Sequence, residues 1–275
     1  MSVDNRALYL DLLKKSLTCT QYEGLDGSVW LPNKRLHRWA LKLVVPGKVR
    51  LSKPAREQER LEGRDWPLLA HTMAGMKRLD HLQYCVETVL AEGIPGDLIE
   101  TGVWRGGSSI FMRAVLKTHD VRDRTVWVAD SFQGLPAPDA GKYPADAGDE
   151  HYTKDQLAIS LETVKGNFAR YGLLDDQVRF LKGWFKDTLP TAPVERLALA
   201  RLDGDLYEST LDALNSLYPK LQPGGFLVID DYGALANCRQ AVHDYRERHG
   251  IVEPIERIDW TGAFWRRSRT PAKPC

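Results

Sequence analysis

Four aspartates hold the densest chemistry in this sequence: Asp203 and Asp205 in Leu202-Asp203-Gly204-Asp205, and the adjacent pair Asp230-Asp231 twenty-seven residues after Asp203. Each pair follows an apolar run of strand length, so each closes a strand, and the interval between them is that of one βαβ unit. Strands related in this way tend to be neighbours, which sets both pairs at one sheet edge. A lone aspartate at a strand end commonly caps the next turn or helix. Several of them meeting at one edge repel unless a cation sits among them. An all-oxygen donor set, with no His or Cys placed to join it, favours Mg²⁺ over zinc.

A second constellation runs from Asp97 to Ser109, DLIETGVWRGGSS. Leu98 and Ile99 deliver Glu100 into a glycine loop, Thr101-Gly102-Val103-Trp104-Arg105-Gly106-Gly107, and Ser108 and Ser109 stand where a helix would begin. Strand, glycine turn and helix N-terminus together present backbone N–H groups to an anion. The spacing Glu-x-Gly-x-x-x-Gly departs from the dinucleotide pattern Gly-x-Gly-x-x-Gly. It is closer to the loop that receives the methionine carboxylate of S-adenosylmethionine (SAM) in methyltransferases. Asp130, thirty residues after Glu100, closes the following strand, where an acid accepts bonds from ribose hydroxyls. The aromatic pair Trp184-Phe185 suits either an adenine ring or the core. Among the histidines, only His151, in the acidic loop after Asp130, is placed to reach such a site. Ser108 and Ser109 lack a nucleophile-elbow pattern.

The elements that must position these residues alternate in type. Met76, Leu79, Leu82, Val86, Val89 and Leu90 recur at steps of three and four, which predicts a long helix over about 71–92 that Gly93 and Pro95 stop. Strands are expected at 98–100, 125–129, 178–181, 197–202 and 226–229, with helices at 108–117, 158–171, 209–221 and 237–249. That order implies a parallel sheet with helices on both faces. Two extended runs, 251–260 and 263–267, joined by Thr261-Gly262, predict a terminal hairpin that adds an antiparallel strand. Class I methyltransferases carry that hairpin and nicotinamide-type domains do not. Ahead of all this, Leu8 to Leu17 forms a short amphipathic helix, and the stretch from Thr18 to about Glu57, rich in Gly, Pro and basic residues, reads as irregular. The division expected is an N-terminal helix and irregular segment at 1–64, able to act as a lid, and a catalytic domain at 65–275.

Composition limits the remaining classes. The 275 residues include 38 Lys and Arg against 37 Asp and Glu, which gives no net-charge argument for nucleic acid or an acidic membrane. No apolar run approaches the roughly 20 residues needed to span a bilayer, and the first residues lack the pattern of a secretory signal. Four scattered cysteines (Cys19, Cys85, Cys238, Cys275) without Cys-x-x-Cys read as free thiols in a reducing cytoplasm.

Taken together, the stretches AHTMAGMKRLDHLQYCVE, GDLIETGVWRGG, VWVADSFQGLP, RYGLLDDQVRFLKGWFKDTLP, RLDGDLYEST and GGFLVIDDY resemble the macrocin O-methyltransferase family. Members are SAM- and Mg²⁺-dependent enzymes that methylate sugar hydroxyls on antibiotics such as macrolides and aminocoumarins. The likeness runs from about Asp65 to Arg267, with 18–64 matching less well. It implies a class I fold with a mostly parallel seven-stranded sheet, an antiparallel C-terminal hairpin strand and an N-terminal helical extension that helps close over the acceptor. It further implies that Thr72, Met73, Glu100, Thr101, Gly102, Val103, Trp104, Asp130, Ser131, Trp184 and Phe185 line SAM. By the same likeness Asp203, Asp230 and Asp231 hold Mg²⁺, Asp205 is the general base, the partner is a glycosylated small molecule, and the chain forms a homo-oligomer. A metal-dependent methyltransferase of catechols uses the same logic, because a catechol also offers two adjacent oxygens. A nicotinamide oxidoreductase and a non-catalytic SAM binder are the other readings: the glycine spacing and the terminal hairpin argue against the first, and the aspartates Asp203, Asp205, Asp230 and Asp231 against the second.

Overall fold

The structure is a computed structural model that describes residues 4–22, 26–29, 52–54 and 56–269. Most of the irregular N-terminal stretch, including its basic residues from Lys34 to Arg50, lies outside the described residues, as does Cys275. The chain divides into two units, Met1–Lys77 and Arg78–Cys275. The expected boundary stood earlier, between residues 64 and 65.

In the first unit, helix α1 (Asn5–Thr18) starts at Asp4, whose side chain accepts from the Arg6 amide, and stops at Cys19 in the left-handed region. Leu10, Leu13 and Leu17 are its buried side, whereas Leu8 and Leu12, which the sequence pattern groups with them, are exposed. Strands β1 (Gly27–Val29) and β2 (Ser52–Pro54) form an antiparallel pair that the sequence did not announce. A short helix α2 (Glu57–Glu62) carries Arg60 into the interior, where its guanidinium donates to Asp26 (2.5 Å) and Asp65 (2.6 Å). A buried arginine needs such partners, because an unpaired charge away from water is costly.

The second unit opens on most of helix α3 (Met76–Ala91), followed by β3 (Asp97–Thr101), α4 (Gly107–Thr118), β4 (Val126–Asp130), α5 (Leu161–Arg170) and β5 (Val178–Lys182). The chain continues through α6 (Phe185–Thr188), β6 (Leu197–Leu202), α7 (Tyr207–Leu217), β7 (Leu221–Ile229), α8 (Ala236–Arg248), β8 (Glu256–Arg257) and β9 (Ala263–Arg266). The seven strands lie in the order β5-β4-β3-β6-β7-β9-β8. The first five are parallel, and β9 and β8 are antiparallel, which is the expected class I methyltransferase architecture. Every residue of β6 is buried, from Leu197 to Leu202, as befits a central strand covered on both faces.

Strand order reverses between β3 and β6, so a crevice opens beyond their carboxyl ends. Register makes that edge even. Leu181, Ala129, Thr101, Leu202 and Ile229 pair in one row across five strands. The residues that follow each of them therefore emerge side by side.

Candidate active site

Gly102, first past the end of β3, has a φ of +79°, and a Cβ placed on it would lie 1.7 Å from the Asp203 carbonyl oxygen. Only glycine fits so close an approach between the β3 and β6 ends. Its amide donates to the Ala129 carbonyl (2.9 Å), and the Asp203 amide donates to the Thr101 carbonyl (2.9 Å). Trp104, φ +48°, turns the loop, and Gly106, φ +86°, precedes α4. The two serines fall inside that helix, and Ser109 donates to Glu100.

Asp130 closes β4 and accepts from the amides of Val103 (2.8 Å) and Phe132 (2.6 Å), so it braces the glycine loop from the neighbouring strand. Burial raises its carboxyl, and the amide donors pull the other way. Ser131 donates to the Gly134 carbonyl at 2.6 Å. Trp184 begins the turn after β5, and Phe185 packs partly against the core and near Gly204. Two buried polar atoms in this neighbourhood, Thr101 Oγ1 and Gln156 Nε2, have no hydrogen-bond partner among the described residues. Such unmet capacity is what a polar ligand can fill. Thr72 and Met73 belong to the first unit, where Thr72 is buried and accepts from the Ala74 amide at 3.0 Å.

At the ends of β6 and β7, Asp203, Asp205 and Asp231 each offer a carboxylate oxygen, and the three oxygens lie within 4.8 Å of one another. Asp205 sits in the left-handed region, φ 56°, and its amide donates to Asp231 at 3.2 Å. Burial, followed by the charges of Asp203, Asp149 and Asp230, pushes the Asp205 carboxyl up to about 8. Burial and the Asp230 charge take Asp203 to about 6, and burial with Asp205 and Asp203 raises Asp231 strongly. Three hard donors on short side chains, each resisting ionisation beside the others, fit a divalent cation.

Asp230 behaves differently. Its two oxygens accept from Arg201 Nη2 and Arg78 Nη1, both at 2.5 Å. Burial alone would raise its carboxyl, yet the two guanidiniums hold it below the ordinary aspartate value. The expected ligand set of Asp203, Asp230 and Asp231 thus differs from the geometric cluster, in which Asp205 stands beside the other two. The Glu100 carboxylate is likewise committed, to Arg201 at 2.6 Å and to Ser109, and burial raises it to about 7 against those partners.

The loop between β4 and α5 is pinned at both ends of the site, which the sequence did not reveal beyond its acidity. Asp146, 1% exposed, accepts from the Tyr207 amide (2.7 Å), the Glu208 amide (3.1 Å) and Asn237 Nδ2 (2.9 Å), capping α7 from a distance. Further on, the Trp104 indole donates to the Gln156 carbonyl at 2.8 Å. Between these anchors, His151 pairs through Nδ1 with Asp149 at 2.8 Å, and the charges of Asp149 and Lys154 act on Asp205. Arg201 and Arg78 are the other members that sequence reasoning missed. Arg201 interrupts the apolar run of β6, Arg78 sits between Lys77 and Leu79 in α3, and burial is what marks both.

The macrocin-O-methyltransferase (TylF) family profile matches residues 6–267. That span includes the N-terminal stretch, so the likeness is not confined to the region after Asp65. The tetracenomycin-C rhamnosyl 4'-O-methyltransferase of Streptomyces olivaceus is 57% identical over 99% of this chain and 97% of its own length. The mycinamicin III 3''-O-methyltransferase of Micromonospora griseorubida is 59% identical over 77% of this chain and 84% of its own. Among solved structures, the O-methyltransferase NovP superposes with a TM-score of 0.84 at 48% identity, covering 96% of this chain and all of that one. The calicheamicin methyltransferase CalS11, at 18% identity and a TM-score of 0.57 over 97% of this chain and 94% of its own, shares the fold. Glycine loop, aspartate edge, strand order and full-length likeness agree: this chain is an O-methyltransferase and belongs to the macrocin-O-methyltransferase family.

Proposed function

We propose that this enzyme transfers the methyl group of SAM to a sugar hydroxyl of a glycosylated natural product, of the macrolide or aminocoumarin kind, with Mg²⁺ as cofactor and Asp205 as general base. The observation that carries this reading is the convergence of Asp203, Asp205 and Asp231 at the strand ends adjoining the glycine loop. The relatives' names support a glycosylated acceptor, the tetracenomycin enzyme's most directly because it specifies a rhamnosyl group.

In this reading the loop Thr101 to Trp104, with Asp130, Ser131, Trp184 and Phe185, takes SAM, and Glu100 supports the loop from beneath. The family likeness assigns Thr72 and Met73 to the same ligand. Asp203 and Asp231 are common to the expected ligand set and the observed cluster, and they would hold the cation together with Asp230. A free sugar hydroxyl has a pKa near that of water, about 15.7, against about 3.9 for an unperturbed aspartate, and a bound Mg²⁺ supplies the missing acidity. Asp205 accepts the hydroxyl proton. Its high proton affinity among neighbouring carboxylates suits it to a weakly acidic donor. Holding donor and acceptor side by side in the crevice supplies much of the remaining rate. The enzyme is assigned to the cytoplasm as a homo-oligomer. Among the described residues no helix is long and apolar enough to cross a membrane.

The test is a mass-spectrometric assay of chelator-washed protein with SAM and a panel of glycosylated natural products and their aglycones. Methylation is expected on glycosides alone, lost in EDTA and restored by Mg²⁺. Full activity in EDTA, or methylation of a catechol aglycone in place of the sugar, would overturn the reading.

A further inference from the structure

Arg201 lies on the central strand β6 with its side chain 5% exposed, and one guanidinium serves carboxylates from three adjacent strand ends. Nη1 donates to Glu100 (2.6 Å) at the end of β3 and to Asp203 (2.9 Å) at the end of its own strand. Nη2 donates to Asp230 (2.5 Å) at the end of β7. The network extends in both directions. On one side the second oxygen of Glu100 accepts from Ser109, in the first turn of the helix that the glycine loop opens. On the other, the second oxygen of Asp230 accepts from Arg78, whose Nε donates to Asp259 (3.0 Å), and Asp259 in turn receives the Thr261 and Gly262 amides. One continuous chain of charge-assisted bonds therefore joins the donor loop, the aspartate edge and the terminal hairpin.

We propose that Arg201 is a positioning residue that couples the two ligand sites, so that the methyl donor and the divalent cation bind cooperatively through it. The inference rests on the reading that SAM and Mg²⁺ occupy these two edges. Asp203 is shared between Arg201 and the carboxylate cluster. When Asp203 and Asp230 turn their charge to a cation, Arg201 is left chiefly to Glu100, and it holds the Glu100–Ser109 pair beneath the glycine loop more firmly. Backbone contacts tighten the link, since the Asp203 amide bonds Thr101 and its carbonyl abuts Gly102. Thermodynamic reciprocity requires the same factor in both directions.

Calorimetric titration of the full chain tests this without any acceptor. The probes are S-adenosylhomocysteine, which lacks the sulfonium charge, and Mg²⁺. In the wild type, saturating Mg²⁺ should tighten S-adenosylhomocysteine by about fivefold or more, and the nucleoside should tighten Mg²⁺ by the same factor. Arg201→Lys keeps the charge and loses the fork, so each ligand should still bind while the factor falls towards one. Glu100→Gln cuts a single arm, and it should abolish the coupling while leaving Mg²⁺ affinity in the absence of nucleoside within about twofold. A wild-type factor of one overturns the proposal, whatever the variants do, and so does undiminished coupling in Glu100→Gln. Failure of the wild type to bind either probe would instead remove the functional reading beneath it.

Discussion

At the donor edge the glycine loop is fixed by shape: Gly102 fits against the Asp203 carbonyl, and Asp130 receives the amides of Val103 and Phe132. At the acidic edge, one row of strand ends further along, Asp203, Asp205 and Asp231 are fixed against their own repulsion, with Arg201 and Arg78 occupied by Glu100 and Asp230. Backbone amides, received by the Ala129 carbonyl and the Asp130 carboxylate, complete the first edge. The second edge keeps three carboxylates whose ionisation each opposes the others, an opposition that a bound cation would relieve. On the proposed function, donor binding would depend on steric detail and the chemistry on charge. The two edges should fail in different ways when altered.

Asp205→Asn should break the acidic edge most severely. If Asp205 is the base, turnover falls by about 10²–10⁴-fold while S-adenosylhomocysteine and Mg²⁺ titrations stay near the wild type. A near-wild-type rate removes it as base, and a large loss of Mg²⁺ affinity would make it the third ligand in place of Asp230. Gly102→Ala attacks the donor edge. The added methyl meets the Asp203 carbonyl in a positive-φ backbone, so thermal or urea unfolding should show a loss of roughly 3 kcal/mol or more, with S-adenosylhomocysteine binding lost. A variant with unchanged stability and affinity would deny the close approach.

His81 sharpens the contrast from outside the site. Its ring packs tilted against Phe264 at 4.1 Å between ring centroids, and burial lowers its pKa to about 4. The unfolded chain keeps a value near 6.5, so protonation favours unfolding. Stability from this residue is complete above about pH 6.5 and is lost as pH falls towards 4, by at most about 3 kcal/mol. Urea unfolding at a series of pH values should therefore show a shallower acid loss in His81→Phe than in the wild type. Equal slopes would mean that the imidazole is solvated. Arg201 and Arg78 keep their charge in the interior because carboxylates meet them, and His81 has no such partner among its closest ring contacts.

Much of the sheet was legible because its strands are continuous apolar runs ending in acids. The strands around Ile99, Val128 and Ala200 and the helix after the glycine loop appear within two residues of the expected bounds. Strand β7 is longer than its pattern suggested, beginning at Leu221 rather than Phe226, because Pro223-Gly224-Gly225 reads locally as a turn. The β1–β2 pair was not legible, since three-residue strands carry too little periodicity to register. The 3₁₀ turns at Pro144–Asp146, His151–Thr153 and Asp155–Leu157 were hidden for a related reason. The first and last of them are tied to distant partners, Asp146 to the amides opening α7 and the Gln156 carbonyl to the Trp104 indole, and local sequence does not encode those.

The sequence by itself determined which residues could carry the chemistry. Residue type and spacing place Asp203 and Asp205 one βαβ unit from Asp230 and Asp231, and the glycine spacing departs from that of a dinucleotide loop. Tertiary structure alone decided how those carboxylates are shared. Asp230 and Glu100 went to buried arginines, while Asp205 joined Asp203 and Asp231. The reason is physical: a strand pattern fixes which residues end at an edge, but the pairing of charges there depends on which guanidiniums the neighbouring strand and helix bury beside them.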